Sequence, residues 1–244
     1  MRATSALSIL TGILLASPVL AEDAFTTDVI QTSEGALQIT FIGHATLMFT
    51  SGGKVICIDP WSKLADYSKL PKADLILITH EHHDHLDTGA VQAVTKDGTQ
   101  VVANAAAAEK VAGSMIMKNG DVKTVLGVKI EAVPAYNLVH RRDNGQPYHL
   151  KGGGNGYVLT FGDQRVYVAG DTENTPEMKS LPDIDCAFLP MNLPHTMTPE
   201  MVADAARALK VKTLYPYHFG DTDTSALADL LRGTDIDVRI RPLK

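Results

Sequence analysis

The apolar run Asp74-Leu75-Ile76-Leu77-Ile78-Thr79 leads directly into His80-Glu81-His82-His83-Asp84-His85, which holds four of the chain's nine histidines. A nearly all-apolar run of this length fits a strand covered on both faces, and so a sheet with further layers on either side. Imidazole and carboxylate are donors that divalent transition metals take, and four such groups on one tight turn rarely serve packing. Open α/β sheets usually place their chemistry at the C-terminal edge of the strands. The pattern therefore predicts one or two metal ions held at the end of a buried strand and used to activate water.

Around this strand the chain alternates apolar runs with turn residues. Strands are expected at residues 37–42, 46–50 and 54–58, with Ser51-Gly52-Gly53 turning between the last two. A helix is expected over 88–96 and a strand over 100–103. The alanine-rich segment 105–112 predicts a second helix, since alanine loses no side-chain entropy on ordering. A strand over 128–134 follows. From Gly156 the pattern restarts, with a hairpin of 157–161 and 165–169 around Gly162-Asp163, a buried strand at 185–189 and a short one at 213–215. Before that last strand, Met201, Val202, Ala205, Ala206 and Leu209 recur at helical spacing behind Thr198 as N-cap and Pro199 at the first helical position. Each half thus has a hairpin, an acid at a strand end (Asp59, Asp171) and a buried strand ending in a polar turn. This echo predicts an α/β fold, a four-layer αβ/βα sandwich of two mixed sheets with helices outside.

The N-terminus reads as a segment apart. A basic start, an apolar stretch over residues 6–15 and the small residues Val19 and Ala21 before Glu22-Asp23 fit a secretory signal over residues 1–21, or else an uncleaved anchor. Residues 22–244 are then expected to form one domain, exported to the periplasm or beyond and not inserted in a membrane after cleavage. A formal charge of −6 and a pI near 5.8 disfavour electrostatic capture of nucleic acid or anionic lipid. Cys57 and Cys186 lie inside apolar runs and read as free core thiols; an exported chain could also oxidise them to a disulfide. Lys151-Gly152-Gly153-Gly154-Asn155-Gly156 lacks phosphate-cradle spacing and reads as a flexible turn. Arg141-Arg142 reads as a solvated loop.

His80-x-His82-x-Asp84-His85, Gly170-Asp171-Thr172 and Pro216-Tyr217-His218 together resemble the metallo-β-lactamase superfamily, in particular its broad branch of metal-dependent hydrolases with lactonase-like and phosphodiesterase-like members. The resemblance implies that His80 and His82 face one metal, that Asp84, His85 and His218 face a second, and that Asp171 bridges both. His83 would point away. Many relatives supply a further histidine to the first site at a position that looks like Asn137 here, so either His149 substitutes from the loop or that site is weak. Two divalent ions, zinc before manganese or iron, would turn a shared hydroxide on an ester, lactone, amide or phosphodiester of a small-molecule substrate. Asp84 and Asp171 would hold the nucleophile, and His195 or Tyr136 would assist the leaving group. Asp59 would orient a ligating imidazole or form an Asx turn, His44 would lie near the site or in the core, and Trp61, Tyr67, Tyr136 and His195 would line its mouth. A di-iron redox protein and a non-catalytic metal binder are the alternatives on the same scaffold. His140 is expected to be dispensable.

Overall fold

The structure, a computed structural model, describes residues 25–244, so the expected signal over residues 1–21 lies outside the described residues. Two mixed sheets of seven strands each form its centre. The first holds β1 (Thr27–Thr32), β2 (Gly35–Gly43), β3 (Thr46–Ser51), β4 (Lys54–Ile58), β5 (Leu75–Ile78), β6 (Gln100–Ala103) and β7 (Met115–Ile116), side by side in chain order. The second holds β8 (Val122–Val125), β9 (Val128–Ala135), β10 (Gly154–Phe161), β11 (Gln164–Val168), β12 (Cys186–Pro190), β13 (Thr213–Tyr217) and β14 (Asp237–Val238), again side by side. In each sheet the first four strands pair antiparallel and the later ones parallel. The echo between the halves is therefore one of strand sense, with β4, β5 and β6 matching β11, β12 and β13.

Alternation along each strand makes the layers. In β5, Leu75 and Leu77 enter the core between the sheets, whereas Ile76 and Ile78 face outward with Ala90, Val91, Val94 and Ala107. Those outer residues belong to α1 (Thr88–Val94) and α2 (Ala105–Ala108). β12 repeats the pattern, with Phe188 inward and Ala187 and Leu189 outward. Its outer layer is α3 (Pro176–Lys179), α4 (Pro199–Leu209) and α5 (Ser225–Leu230). The result is the expected four-layer αβ/βα sandwich. Aromatic rings join the sheets: Phe188 stacks on Tyr215 at 4.8 Å, and from the first sheet Phe41 meets Tyr215 at 5.3 Å and Phe49 meets Phe188 at 5.9 Å. Each such ring adds about 0.5–1.5 kcal/mol per pair beyond its buried area.

Local rules hold where packing agrees with them. Thr198 accepts the Met201 N–H at 3.2 Å and Pro199 opens α4, as the sequence predicts. The alanine-rich helix is shorter than expected, because α2 stops at Ala108 and the chain turns through Gly113 (φ +81°) to feed β7. Propensity here yields to the sheet's demand for an edge strand. Cys57 packs in the outer layer of the first sheet and Cys186 in the core between the sheets, so both remain free thiols, and burial pushes both above the usual thiol range. No helix among the described residues is long and apolar enough to cross a membrane.

Candidate metal centre

Five polar groups of the site follow strand ends. Asp59 leaves β4, His80 leaves β5, Asp171 follows β11, His218 leaves β13 and His44 follows β2. The segment after β5 turns tightly, with the N–H groups of His85 and Leu86 both donating to the His82 carbonyl at 3.0 and 2.8 Å. That turn buries His80 and His85 and leaves His83 outside, its side chain 80 % exposed. Gly170 precedes Asp171 with φ +66°, and a Cβ there would lie 2.8 Å from the Asn155 carbonyl, so only glycine fits the approach.

Asp171 sits at the centre of the histidines and divides its two oxygens between them. Oδ2 lies 3.2 Å from His149 Nε2 and 4.0 Å from His80 Nε2, and His80 Nε2 is in turn 3.0 Å from His82 Nδ1. Oδ1 lies 3.3 Å from His85 Nε2 and 3.4 Å from His218 Nε2. Asp84 Oδ2 closes the second group, 3.6 Å from His218 Nε2 and 3.9 Å from His85 Nε2, with His44 Nε2 at 3.2 Å on its other side. Donor atoms of His80, His82, His149 and Asp171 all lie within 4.8 Å of one another, as do those of His85, Asp171 and His218.

The buried atoms Asp171 Oδ1, His85 Nε2 and His218 Nε2 have no hydrogen-bond partner among the described residues. Buried polar atoms are almost always paired, and a cation at this point would satisfy all three at once. The charges agree. Burial opposes ionisation of Asp171, but the imidazoles of His218, His85 and His149 hold it well below the usual carboxylate range. Burial also works against charge on His85, yet Asp171 and Asp59 on either side raise it well above the ordinary imidazole value. At His80, burial and the neighbouring His85 outweigh the pull of Asp171 and push it well below that value. The donor set fits a divalent ion.

A second layer of groups holds the donors in place. The fully buried Asp59 accepts the Thr79 N–H at 2.8 Å, the Thr79 hydroxyl at 2.6 Å and His85 Nδ1–H at 2.8 Å. Of the two readings of Asp59, orientation of an imidazole is the one the contacts describe, and Nε2 of His85 is thereby left for the cage. His44, Asp59 and His218 all take left-handed backbone, at φ +49°, +46° and +46°. Such strain costs on the order of 1–3 kcal/mol per residue and collects at functional sites.

Other expectations are corrected. Tyr136 is buried and donates to Glu177 at 2.9 Å, and Tyr67 is buried with its oxygen accepting the Trp61 N–H at 2.9 Å, so neither lines the mouth. Tyr136 thereby drops out as a proton donor. Trp61 packs its ring 5.1 Å from that of His44. The glycine run is not a free turn: from Gly154 it is strand β10, and a Cβ on Gly154 would lie 3.7 Å from that of His80. Asn137 does not enter the cage, whereas His149 does. His140, expected to be dispensable, has Nδ1 2.8 Å from Glu173 Oε1. Glu173 and Asn192, whose amide is 3.3 Å from His218 Nδ1, escaped the sequence reading altogether.

The cage opens into a cleft of about 340 Å³ whose walls include His82, Asp84, Tyr148, His195 and His218. A lobe of about 240 Å³ adjoins it over His80, His149 and Leu150. Arg142, expected on a solvated loop, is the lysine or arginine common to both walls, and its guanidinium lies 5.0 Å from the Tyr148 ring. His195 rests edge-on against the same ring at 4.7 Å.

A sandwich of two sheets with a histidine–aspartate cage at its strand ends defines a metal-dependent hydrolase scaffold, and known proteins agree. The Beta-lactamase superfamily domain matches residues 38–218, and the chain belongs to that superfamily as a metal-dependent hydrolase of the β-lactamase fold. It is 33 % identical over 212 residues to a UPF0173 metal-dependent hydrolase of Rubrobacter xylanophilus, covering 78 % of this chain and 85 % of that protein. A crystal structure from Parabacteroides distasonis, assigned to the metal-dependent hydrolases, aligns with TM-score 0.86 and 52 % identity over 90 % of this chain and 100 % of that one. The metallo hydrolase Igni18 of Ignicoccus hospitalis shares the fold at 23 % identity and TM-score 0.70, over 85 % of this chain and 96 % of its own.

Proposed function

We propose that this chain is a zinc-type hydrolase that holds two ions and cleaves an ester, lactone, amide or phosphodiester bond in a small exported-compartment substrate. The observation that carries this reading is the division of Asp171, one oxygen toward each of two imidazole groups. His80, His82 and His149 with Oδ2 would hold one ion, and Asp84, His85 and His218 with Oδ1 the other. When bound, the ions supply Lewis acidity and lower the pKa of a water molecule toward neutrality. Asp84 and Asp171 orient the attacking oxygen toward the cleft. Arg142, its guanidinium beside the Tyr148 ring, meets a negatively charged or polar end of the substrate. His195, on the cleft wall and backed by the same ring, delivers a proton to the leaving group. Five imidazoles against two carboxylates suit zinc better than the carboxylate-richer ligation of di-iron redox centres. The expected signal over residues 1–21 would place this activity outside the cytoplasm.

Chelator-treated protein tests the reading. It is assayed on lactone, aryl ester, amide and phosphodiester panels after titration with zinc, manganese or iron. Turnover on one panel that returns with about two equivalents of zinc is the expected result. Full zinc occupancy with no turnover on any panel favours the non-catalytic alternative, and iron-dependent redox turnover favours the di-iron one.

A further inference from the structure

His149 reaches the cage from a loop, and the groups behind it leave it little freedom. Asn137, 5 % exposed at the end of β9, uses its whole amide. Its Nδ2 donates to Glu173 Oε1 at 3.1 Å and to the His195 carbonyl at 2.9 Å. Both partners only accept, so turning the amide over would set oxygen against oxygen. Oδ1 is thereby committed to His149, where it accepts the backbone N–H at 2.8 Å and faces ring Nδ1 at 2.8 Å. An acceptor at Nδ1 requires the ring proton there. The lone pair then falls on Nε2, the atom 3.2 Å from Asp171 Oδ2 and grouped with His80 and His82.

Glu173 is fixed in its turn. Its side chain is fully buried; Oε2 accepts the N–H groups of Leu138 and Val139 at 2.7 Å each, and Oε1 accepts that of His140 at 2.7 Å. Three successive amides therefore clamp the carboxylate that aims Asn137. Neither an aspartate nor an aliphatic residue serves at 137 as well. An aspartate would place a second carboxylate against Glu173, and an aliphatic residue would leave both Glu173 and His149 without their partner.

We propose that Asn137 and Glu173 are positioning residues, which lock His149 in the one tautomer and orientation that lets Nε2 bind the first of the two ions. The last step rests on the two-ion reading above. The lock itself is a property of the metal-free protein.

The test is nitrogen-15 histidine spectroscopy of metal-free protein above the imidazole titration, with His149→Gln to assign the signal, followed by zinc competition against a chelator. Wild-type His149 is expected to carry its proton on Nδ1. Asn137→Ala, which removes the acceptor, is expected to release it to the Nε2-protonated or mixed form. Zinc at one site should weaken by about 10–100-fold, the usual cost of losing an outer partner of a ligand. The second ion should bind with wild-type affinity, which also reports that the variants fold. A wild-type His149 protonated on Nε2 overturns the proposal whatever the variants do. So does an Asn137→Ala protein with the wild-type tautomer and unchanged zinc affinity at both sites. Failure of the two-ion reading looks different: the tautomer would still answer to Asn137 while wild-type protein retained a single ion.

Discussion

Two clusters of charged side chains tie the sheets together, and they are built on opposite terms. At one, Asp28 of β1 accepts from Tyr215 at 2.6 Å, from Arg241 at 2.7 and 3.1 Å and from Arg239 at 3.4 Å, so each carboxylate oxygen has a donor. This cluster joins the edge strand of the first sheet to β13 and to the tail beyond β14. At the other, Asp171 Oδ1, His85 Nε2 and His218 Nε2 are buried and lack a hydrogen bond among the described residues, although the oxygen faces the two nitrogens at 3.3 and 3.4 Å. Leaving a buried polar group unsatisfied costs about 1–3 kcal/mol. The Asp28 cluster contributes to the fold, whereas the cage in its metal-free form draws on stability supplied elsewhere. Three strained backbones at His44, Asp59 and His218 point the same way. A fold keeps such a site for what it binds.

The contrast can be broken from either side. Asp171→Ala carries the largest expected effect: both ions are lost on metal analysis, and turnover falls by more than the ~100-fold typical of removing an outer partner. The metal-free variant should melt close to wild type, because losing the Asp171–His85 ion pair is offset by removing a buried carboxylate, and His85 can shed its proton. A large loss of metal-free stability would make Asp171 a structural residue like Asp28.

Asp28→Asn is the mirror experiment, with a smaller effect. Unfolding free energy should fall by about 1–3 kcal/mol while metal content and turnover stay at wild type. Burial raises the Asp28 carboxyl, but Arg241, Tyr215 and Arg239 more than offset this and hold it below the usual carboxylate range. Its contribution is therefore complete above about pH 3.9, the value in an unfolded chain, and is lost as pH falls below that toward the folded value. Denaturation profiles of wild type and variant should converge on that acid side. Profiles that stay parallel would remove Asp28 from the account of acid stability.

The two halves of the molecule also differed in how openly the sequence displayed their parts. The turn after β5 was legible because its donors are neighbours in the chain and interrupt an apolar run. Asp171 and His218 were legible because each ends a buried strand in the repeated pattern. Glu173 was not, since its partner Asn137 lies 36 residues away and the pair has no spacing of its own. Tyr136 and Tyr67 were misplaced at the mouth because loop position does not say which way a ring points; both turn into the protein. The edge strands β7 and β14, two residues each, are too short to carry an alternation. Left-handed backbone at a histidine or an aspartate leaves no mark in a sequence at all.

The central claim is that one carboxylate serves two ions, and a crystal structure of the zinc-saturated protein tests it most directly. Two ions are predicted, each bonded to a different oxygen of Asp171, one with His80, His82 and His149 and the other with Asp84, His85 and His218. A single ion that does not touch Asp171, or a cage left empty at saturating zinc, would contradict the account.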